Sequence, residues 1–384
     1  MKTLFVHLGT PKTATTSLQH FCRDNIELLH KNGYDYPILP IDYYPIKIVR
    51  NGHFLIGKLY DSEKNRRIPE EEKNYREGLD IVKGLFRKYD NIILSDEGIW
   101  TGTCVDQEEM WVNLAREAKE EGFDIKVIVY LRRQDEYISS WWNQKVKHGR
   151  RIYSSTSWED FLNSHMYGIG LNYYDELKKI SDVIGKENVF VRRFGRQYFK
   201  NQSIYEDFFE ALGLEFTDEY VIQETQRNES LYGNAIEIKR ILNSMPNLGV
   251  RDNALFRNVI GEVSAAKPEN KTTSLFSMEE AGEFLEKFRD GNKKIMQEYL
   301  GGDGDLFDMT IKETTKWVPE YTEREEDLII FIGNVAMELR KENEKLKKRL
   351  DQQEKELKRQ KHLIENLKSK IKHPIKTVLG RAGK

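Results

Sequence analysis

KTLFVHLGTPKTATTSLQHF, residues 2–21, is the stretch that decides the fold. Leu4, Phe5, Val6 and Leu8 make a short apolar run of strand formers, as a buried parallel strand requires. Gly9 to Ser17 are small, hydroxylated or basic, and from Ser17 onward Leu18, Phe21, Ile26 and Leu29 recur close to helical spacing. Strand, tight loop and helix together aim backbone N–H groups at an anion. Lys12 adds a full positive charge, and Thr13, Thr15, Thr16 and Ser17 add hydroxyl donors. The stretch reads as a phosphate cradle; the competing reading is an ordinary strand-to-helix turn with threonine caps. It is not the common nucleotide loop. G-x-x-x-x-G-K-[ST] would put Gly and Lys where Ala14 and Thr15 stand, and here the lysine comes early.

Outward from this stretch, further strands are predicted at 91–97 (NIILSDE), 125–131 (IKVIVYL) and 188–194 (NVFVRRF). Helical patterns lie at 75–89, at 107–121 and in the middle of RRQDEYISSWWNQKVKHGRR; residues 203–300 are mostly helical. Residues 34–74 read as irregular. Strands separated by helices predict an α/β fold, a P-loop-like central parallel sheet flanked by helices, with a C-terminal helical region and a coiled-coil extension. Ligands of such sheets bind beyond the carboxyl ends of the strands. Three chemically loaded segments begin there: the Lys12 loop, the pair Asp96 and Glu97, and the pair Arg132 and Arg133.

At 384 residues, one large or two ordinary domains are expected. The hydrophobic fraction of 39% is a little low and the charged fraction of 32% a little high, but the excess is local, so residues 1–320 retain enough apolar material for a core. A net charge of -2 argues against a generic nucleic-acid binder. Two cysteines, Cys22 and Cys104, give no disulfide framework and suggest a reducing compartment. LFVHLG is too short for a signal segment, and no apolar run is long enough to span a membrane. A cytoplasmic protein is expected.

Residues 325–372 change character. With Asn343, Leu350, Leu357, Ile364 and Ile371 at heptad position a, position d holds Leu339, Leu346, Gln353, Gln360 and Leu367. Glu342 faces Lys347, Arg349 faces Glu354, and Glu356 faces Lys361 across a parallel pair, and Asn343 favours an in-register dimer. A homodimer through this segment is expected; the alternative is a single solvated helix. Residues 373–384 form a basic tail with interleaved apolar residues, readable as a peripheral contact with the inner membrane face or as a solubilising tail.

Arg132 and Ser140 stand eight positions apart across a strand end and the next helix, where a guanidinium and a hydroxyl can share a phosphate. With the loop at Pro11–Thr16, these residues make the chain resemble the sulfotransferases that use 3′-phosphoadenosine 5′-phosphosulfate (PAPS). That family carries a P-K-[ST]-x-T-[ST] loop for the 5′-phosphosulfate, and an arginine with a serine eight positions on for the 3′-phosphate. Arg132 fits better than Arg133, which would pair with Trp141. Ala14 replaces a frequent glycine. LRRQDEYISSWWNQ, NVFVRRF and RNESLYGNAIEIKRILN are similar to bacterial carbohydrate-type members, over roughly residues 1–300.

The resemblance implies PAPS as co-substrate held by Pro11 to Ser17, Arg132 and Ser140, with Asn228 and Ser230 touching it by likeness. It implies in-line sulfuryl transfer to a hydroxyl of a carbohydrate or glycolipid, with Lys12 on the leaving oxygen. No metal is implied, and the eight histidines show no ligand spacing. A base must take the acceptor proton. His53, with an imidazole that ordinarily titrates near about 6.5, and Glu97, which follows a strand end, are both candidates. Trp100, Trp111, Trp141, Trp142, Tyr43 and Tyr44 are candidates for stacking on sugar rings, the competing reading being core residues, and Arg50, Lys58, Lys147, Arg150 and Arg151 are candidates for holding an anionic glycan, the competing reading being solvated surface. Two other readings stand beside this one. They are a sugar or nucleoside kinase with Asp96 as its magnesium acid, and a noncatalytic coiled-coil scaffold.

Overall fold

Every residue of β1 (Thr3–His7) is buried, because this strand is covered on both faces. In the computed structural model, which describes residues 2–41, 49–60, 65–103, 108–149, 153–164, 170–223, 230–246, 248–267, 273–311, 315–318 and 321–372, it is the centre of a parallel sheet. The other strands are β2 (Tyr34–Asp35), β3 (Asn91–Ser95), β4 (Asp124–Leu131) and β5 (Val189–Arg193), in the order β2-β3-β1-β4-β5. Thr3 lies opposite both Asn91 and Asp124, so β1, β3 and β4 begin level; His7 and Ser95 end β1 and β3 together, and β4 runs on from Ile128 to Leu131. Four of these strands lie where the apolar runs predicted them. β2 is two residues long and leaves no pattern to read.

Side chains of a strand alternate between faces. Leu4 and Val6 join the cluster under the helices Ile68–Leu85, Glu108–Glu121 and Tyr173–Ile184, while Phe5 joins the one under Thr15–Asp24 and Ile204–Leu212. A third cluster lies among helices, with Tyr137, Trp142, Trp158, Phe276 and Phe284. The helix at 75–89 starts earlier than its apolar spacing suggests, at Ile68, with Pro69 in its first turn.

The strand order reverses beside β1, with β3 on one side and β4 on the other. Crevices at such switch points open at the carboxyl ends of the strands. The loops after β1, β3 and β4 emerge there together.

The last described helix runs from Tyr321 to Lys372. Its first turns lie on the helices Asn234–Leu242 and Val250–Ala266. Phe331 is buried against Phe256, with ring centroids 6.0 Å apart, and Asp327 pairs with Lys267 at 2.9 Å. From Leu339 to Leu367 its leucine and isoleucine side chains are exposed. The basic tail at 373–384 lies outside the described residues. No described helix is long and apolar enough to cross a membrane.

Since Phe331 is 6% exposed, Phe331→Ala should destabilise the body by about 3 kcal/mol, as for a core aromatic. Urea unfolding followed by tryptophan fluorescence checks this. A loss below about 0.5 kcal/mol would place this turn outside the core.

Candidate active site at the switch point

The loop after β1 is held from both sides. Leu8 N–H donates to the Ile128 carbonyl at 2.9 Å, extending the β1–β4 ladder, and Thr10 Oγ1 donates to the Tyr130 carbonyl at 2.8 Å. Thr13 Oγ1 closes the turn on the Thr10 carbonyl at 2.6 Å. Lys12 (φ 74°) and Ala14 (φ 58°) both lie in the left-handed region. Such backbone costs energy for a non-glycine residue and turns successive N–H groups toward one concavity. Gly9 (φ 35°) cannot carry a side chain, because a Cβ there would collide with Thr15 Oγ1. Thr15 Oγ1 is buried and has no hydrogen-bond partner among the described residues. The helix Thr15–Asp24 has no side-chain cap at Ala14, so its first N–H groups are left for an incoming anion. Thr16 is exposed and Ser17 half-buried, beside the Tyr205 hydroxyl.

Arg132, 120 positions further along, closes the other side. Its Nη1 donates to the Lys12 carbonyl at 3.3 Å, its Nε to Glu136 at 3.1 Å, and its guanidinium lies 5.5 Å from the centre of the Phe194 ring. Tyr173 OH holds the Arg132 carbonyl at 2.7 Å. Arg133 is engaged elsewhere, two-pronged on Asp135 and bonded to the carbonyls of Asp308 and Thr310. Arg132, Ser140 and Ser230 line one cleft of about 590 Å³. Asn228 lies outside the described residues. Lys12 has its pKa lowered by burial and then by the charge of Arg132, with Glu97 acting in the opposite sense. Lys12, Arg132 and Glu97 therefore share one electrostatic neighbourhood.

A second constellation gathers on Asp96, immediately after β3. Its side chain has no exposure. Arg50 grips it with Nε at 2.9 Å and Nη2 at 2.7 Å, His53 Nδ1 lies 3.2 Å from Oδ2, and Gly98 N–H donates to Oδ1 at 2.5 Å. Burial alone would raise its pKa, but the bonds from His53 and Arg50 outweigh burial and hold it below the usual carboxylate value. Because an ionised carboxylate only accepts, His53 donates from Nδ1, which in the neutral ring places the lone pair on Nε2. Glu97 Oε1 lies 3.8 Å from Arg50 Nη1. The string Glu97, Arg50, Asp96, His53 thus connects the surroundings of Lys12 to the segment 49–55.

That segment is pinned by a side chain acting as a strand. Asn51 Nδ2 donates to the Ile93 carbonyl at 2.9 Å and to Pro37 at 3.0 Å, and its Oδ1 accepts from Ser95 N–H at 2.8 Å. Gly52 sits so near β3 that a Cβ would meet the Ser95 backbone at 3.3 Å. Asn51 and Gly52 are the positioning residues that sequence reasoning missed, and the adjoining R-N-G-H at 50–53 was the available signal.

Trp100, Trp111 and Trp142, candidates for sugar stacking, are core residues with at most 1% exposure; their large apolar faces are used under the sheet and among the helices. Trp141 is half-buried beneath Lys145 Nζ at 4.7 Å. Tyr43, Tyr44, Arg150 and Arg151 lie outside the described residues. Arg50 is committed to Asp96, and Lys58 lines a separate groove between the helices Ile68–Leu85 and Glu108–Glu121. Among the described residues no group of three or more His, Cys, Asp or Glu is placed to hold a metal ion.

No family model matches the chain. An uncharacterized protein of Archaeoglobus fulgidus is 30% identical over 178 residues, 46% of this chain and 46% of that protein. The chain thus matches less than half the length of this curated relative. The crystal structure of a sulfotransferase from Alicyclobacillus acidocaldarius is similar over 59% of this chain and 85% of that one, at 16% identity and a TM-score of 0.36. Similarity at that level says nothing about chemistry, which has to be argued from the site.

Under the loop, His7 Nδ1 is 2.9 Å from Ser95 Oγ, which also accepts from Gln19 at 3.3 Å. Burial pushes the His7 pKa from 6.5 down to about 3. The unfolded chain takes up this proton below pH 6.5 and the folded chain does not until about 3. Stability is therefore full above that window and falls as pH drops through it. The loss should reach roughly 2 kcal/mol by about pH 5. Unfolding free energies measured from pH 7 to 5 should show this slope, and His7→Gln should flatten it.

Proposed function

We propose that this protein transfers the sulfuryl group of PAPS to an acceptor hydroxyl, in keeping with the family resemblance of its two motifs. The observation that carries the reading is the contact of Arg132 Nη1 with the Lys12 carbonyl at 3.3 Å. It joins two phosphate-type motifs, far apart in sequence, at the switch point of the sheet.

The residues fit the donor. A concavity of N–H groups, the buried Thr15 hydroxyl and Lys12 suit the 5′-phosphosulfate end. Arg132, Ser140 and Ser230, which share the adjoining cleft, suit a 3′-phosphate. When bound, the donor supplies an activated sulfuryl group and a nucleotide leaving group. Lys12 Nζ, whose proton is loosened by burial and by Arg132, neutralises charge on the departing oxygen. His53 Nε2 accepts the acceptor proton, and Asp96, bonded to Nδ1, sets the tautomer and stabilises the imidazolium that results. Glu97 steadies Arg50 and Lys12. A carbohydrate or glycolipid hydroxyl is the acceptor class that the resemblance favours. The kinase reading needs a strand-end acid for magnesium, but Asp96 is already bonded to Arg50, His53 and the Gly98 amide.

In the absence of metal, 3′,5′-adenosine bisphosphate should raise the unfolding temperature, and ATP with magnesium should not. Lys12→Ala should abolish transfer. Arg132→Ala should weaken bisphosphate binding by about tenfold to a hundredfold, the worth of a charged hydrogen bond. Protection by ATP with magnesium alone, or robust turnover by the Lys12 variant, would refute the assignment.

The choice of base has its own test. His53→Ala should cut kcat by about a hundredfold or more and remove the acid limb of the kcat/KM profile, whereas Glu97→Gln should retain that limb. Asp96→Asn should lower kcat with little change in KM for the donor. An acid limb that survives in His53→Ala and disappears in Glu97→Gln would reverse the roles.

A further inference from the structure

The helix Tyr321–Lys372 carries two apolar faces in its opening turns. Phe331 and Val335 pack on the body. Ile329 and Ile332 point elsewhere, 71% and 64% exposed. At 3.6 residues per turn the two faces lie roughly 110° apart round the axis. Ile329 and Ile332 fall on heptad positions a and d of the repeat that continues through Leu339, Leu346, Leu350 and Leu357, all 45% to 59% exposed, to Leu367. The seam therefore begins on the body itself and runs about 57 Å along one helix.

We propose that this seam, from Ile329 to Leu367, is covered by a second copy of this chain, parallel and in register. The charges flanking it select this occupant. In a parallel pair, Glu342, Arg349 and Glu356 at g meet Lys347, Glu354 and Lys361 at e′, each of opposite sign. An antiparallel pair centred on the same segment matches g with g′ and e with e′, which sets Arg349 against Arg349 and Glu354 against Glu354. Asn343 at a meets its own copy only in the parallel register, where two side-chain amides can pair. Because Phe331 locks the same turns into the core, the paired helices also fix the two bodies beside each other. The inference is independent of the chemistry proposed above.

Sedimentation equilibrium of the full chain should give twice the 45.3 kDa chain mass. Leu350→Lys combined with Leu357→Lys, both at solvent-exposed positions, should give a monomer with the unfolding temperature of the body unchanged. Leu350→Cys, in a chain carrying Cys104→Ser, should cross-link to dimer on mild oxidation, since a faces a′ only in the parallel register. Ile332→Asp should raise the dimer dissociation constant by about tenfold or more, as expected for loss of a buried isoleucine. A monomeric or trimeric full chain, a dimer that survives both lysines, or a cysteine variant that does not cross-link would overturn the proposal. An Ile332→Asp variant with an unchanged dissociation constant would overturn the start of the seam on the body.

Discussion

A carboxylate with no exposed surface must be paired or give up its charge, and Asp96 is such a carboxylate. β3 delivers it to the carboxyl edge of the sheet, inside the protein, and the chain answers with Arg50, His53 and the Gly98 amide. Arg50 and His53 come from a segment with little propensity of its own, and the Gly98 amide from the helix that follows Asp96. The conformation of 49–55 is therefore set by the needs of the acid, helped by the Asn51 amide that continues the ladder on β3. His53 is brought to this edge as part of satisfying a buried charge, which also fixes which ring nitrogen holds the proton.

On the neighbouring strand ends the problem has the opposite sign. Lys12 and Arg132 are cations close enough for one to depress the pKa of the other, on a loop with two non-glycine residues in left-handed backbone. Neither feature helps folding. Both cost stability that an anion would return on binding, by relieving the repulsion and using the oriented N–H groups. Ala14 sharpens the point, because glycine would adopt its φ of 58° at less cost. The loop keeps its shape through tethers to β4 rather than through backbone ease.

How much of this was legible in the sequence follows from how each part is held. β1, β3 and most of β4 are buried on both faces and so read as apolar runs, while the edge strand β5 buries only Val189 and Val191 and reads through its run of strand formers. The cradle was legible because its chemistry is local: one lysine and four hydroxylated residues within six positions. The Asp96 cluster was not, since Arg50 and His53 reach it across more than forty residues through side-chain bonds that leave no periodic trace. Two-residue β2 lacks any alternation to detect. The tryptophans were ambiguous for a related reason. Residue type shows that Trp100, Trp111 and Trp142 will be buried or used, but not which, and the packing of helices on the sheet took all three.

The division of roles proposed for His53 and Glu97 follows from how the charge of each is held. Glu97 stands 3.8 Å from Arg50 and raises the pKa of Lys12; its charge is committed to two cations, and taking a proton would release both. His53 has an anion behind it at Asp96, so a proton arriving on Nε2 gains a favourable partner. Loss of the Glu97 charge would loosen Arg50, and with it the clamp on Asp96, so the two residues to which those roles are proposed are tied together through a single guanidinium.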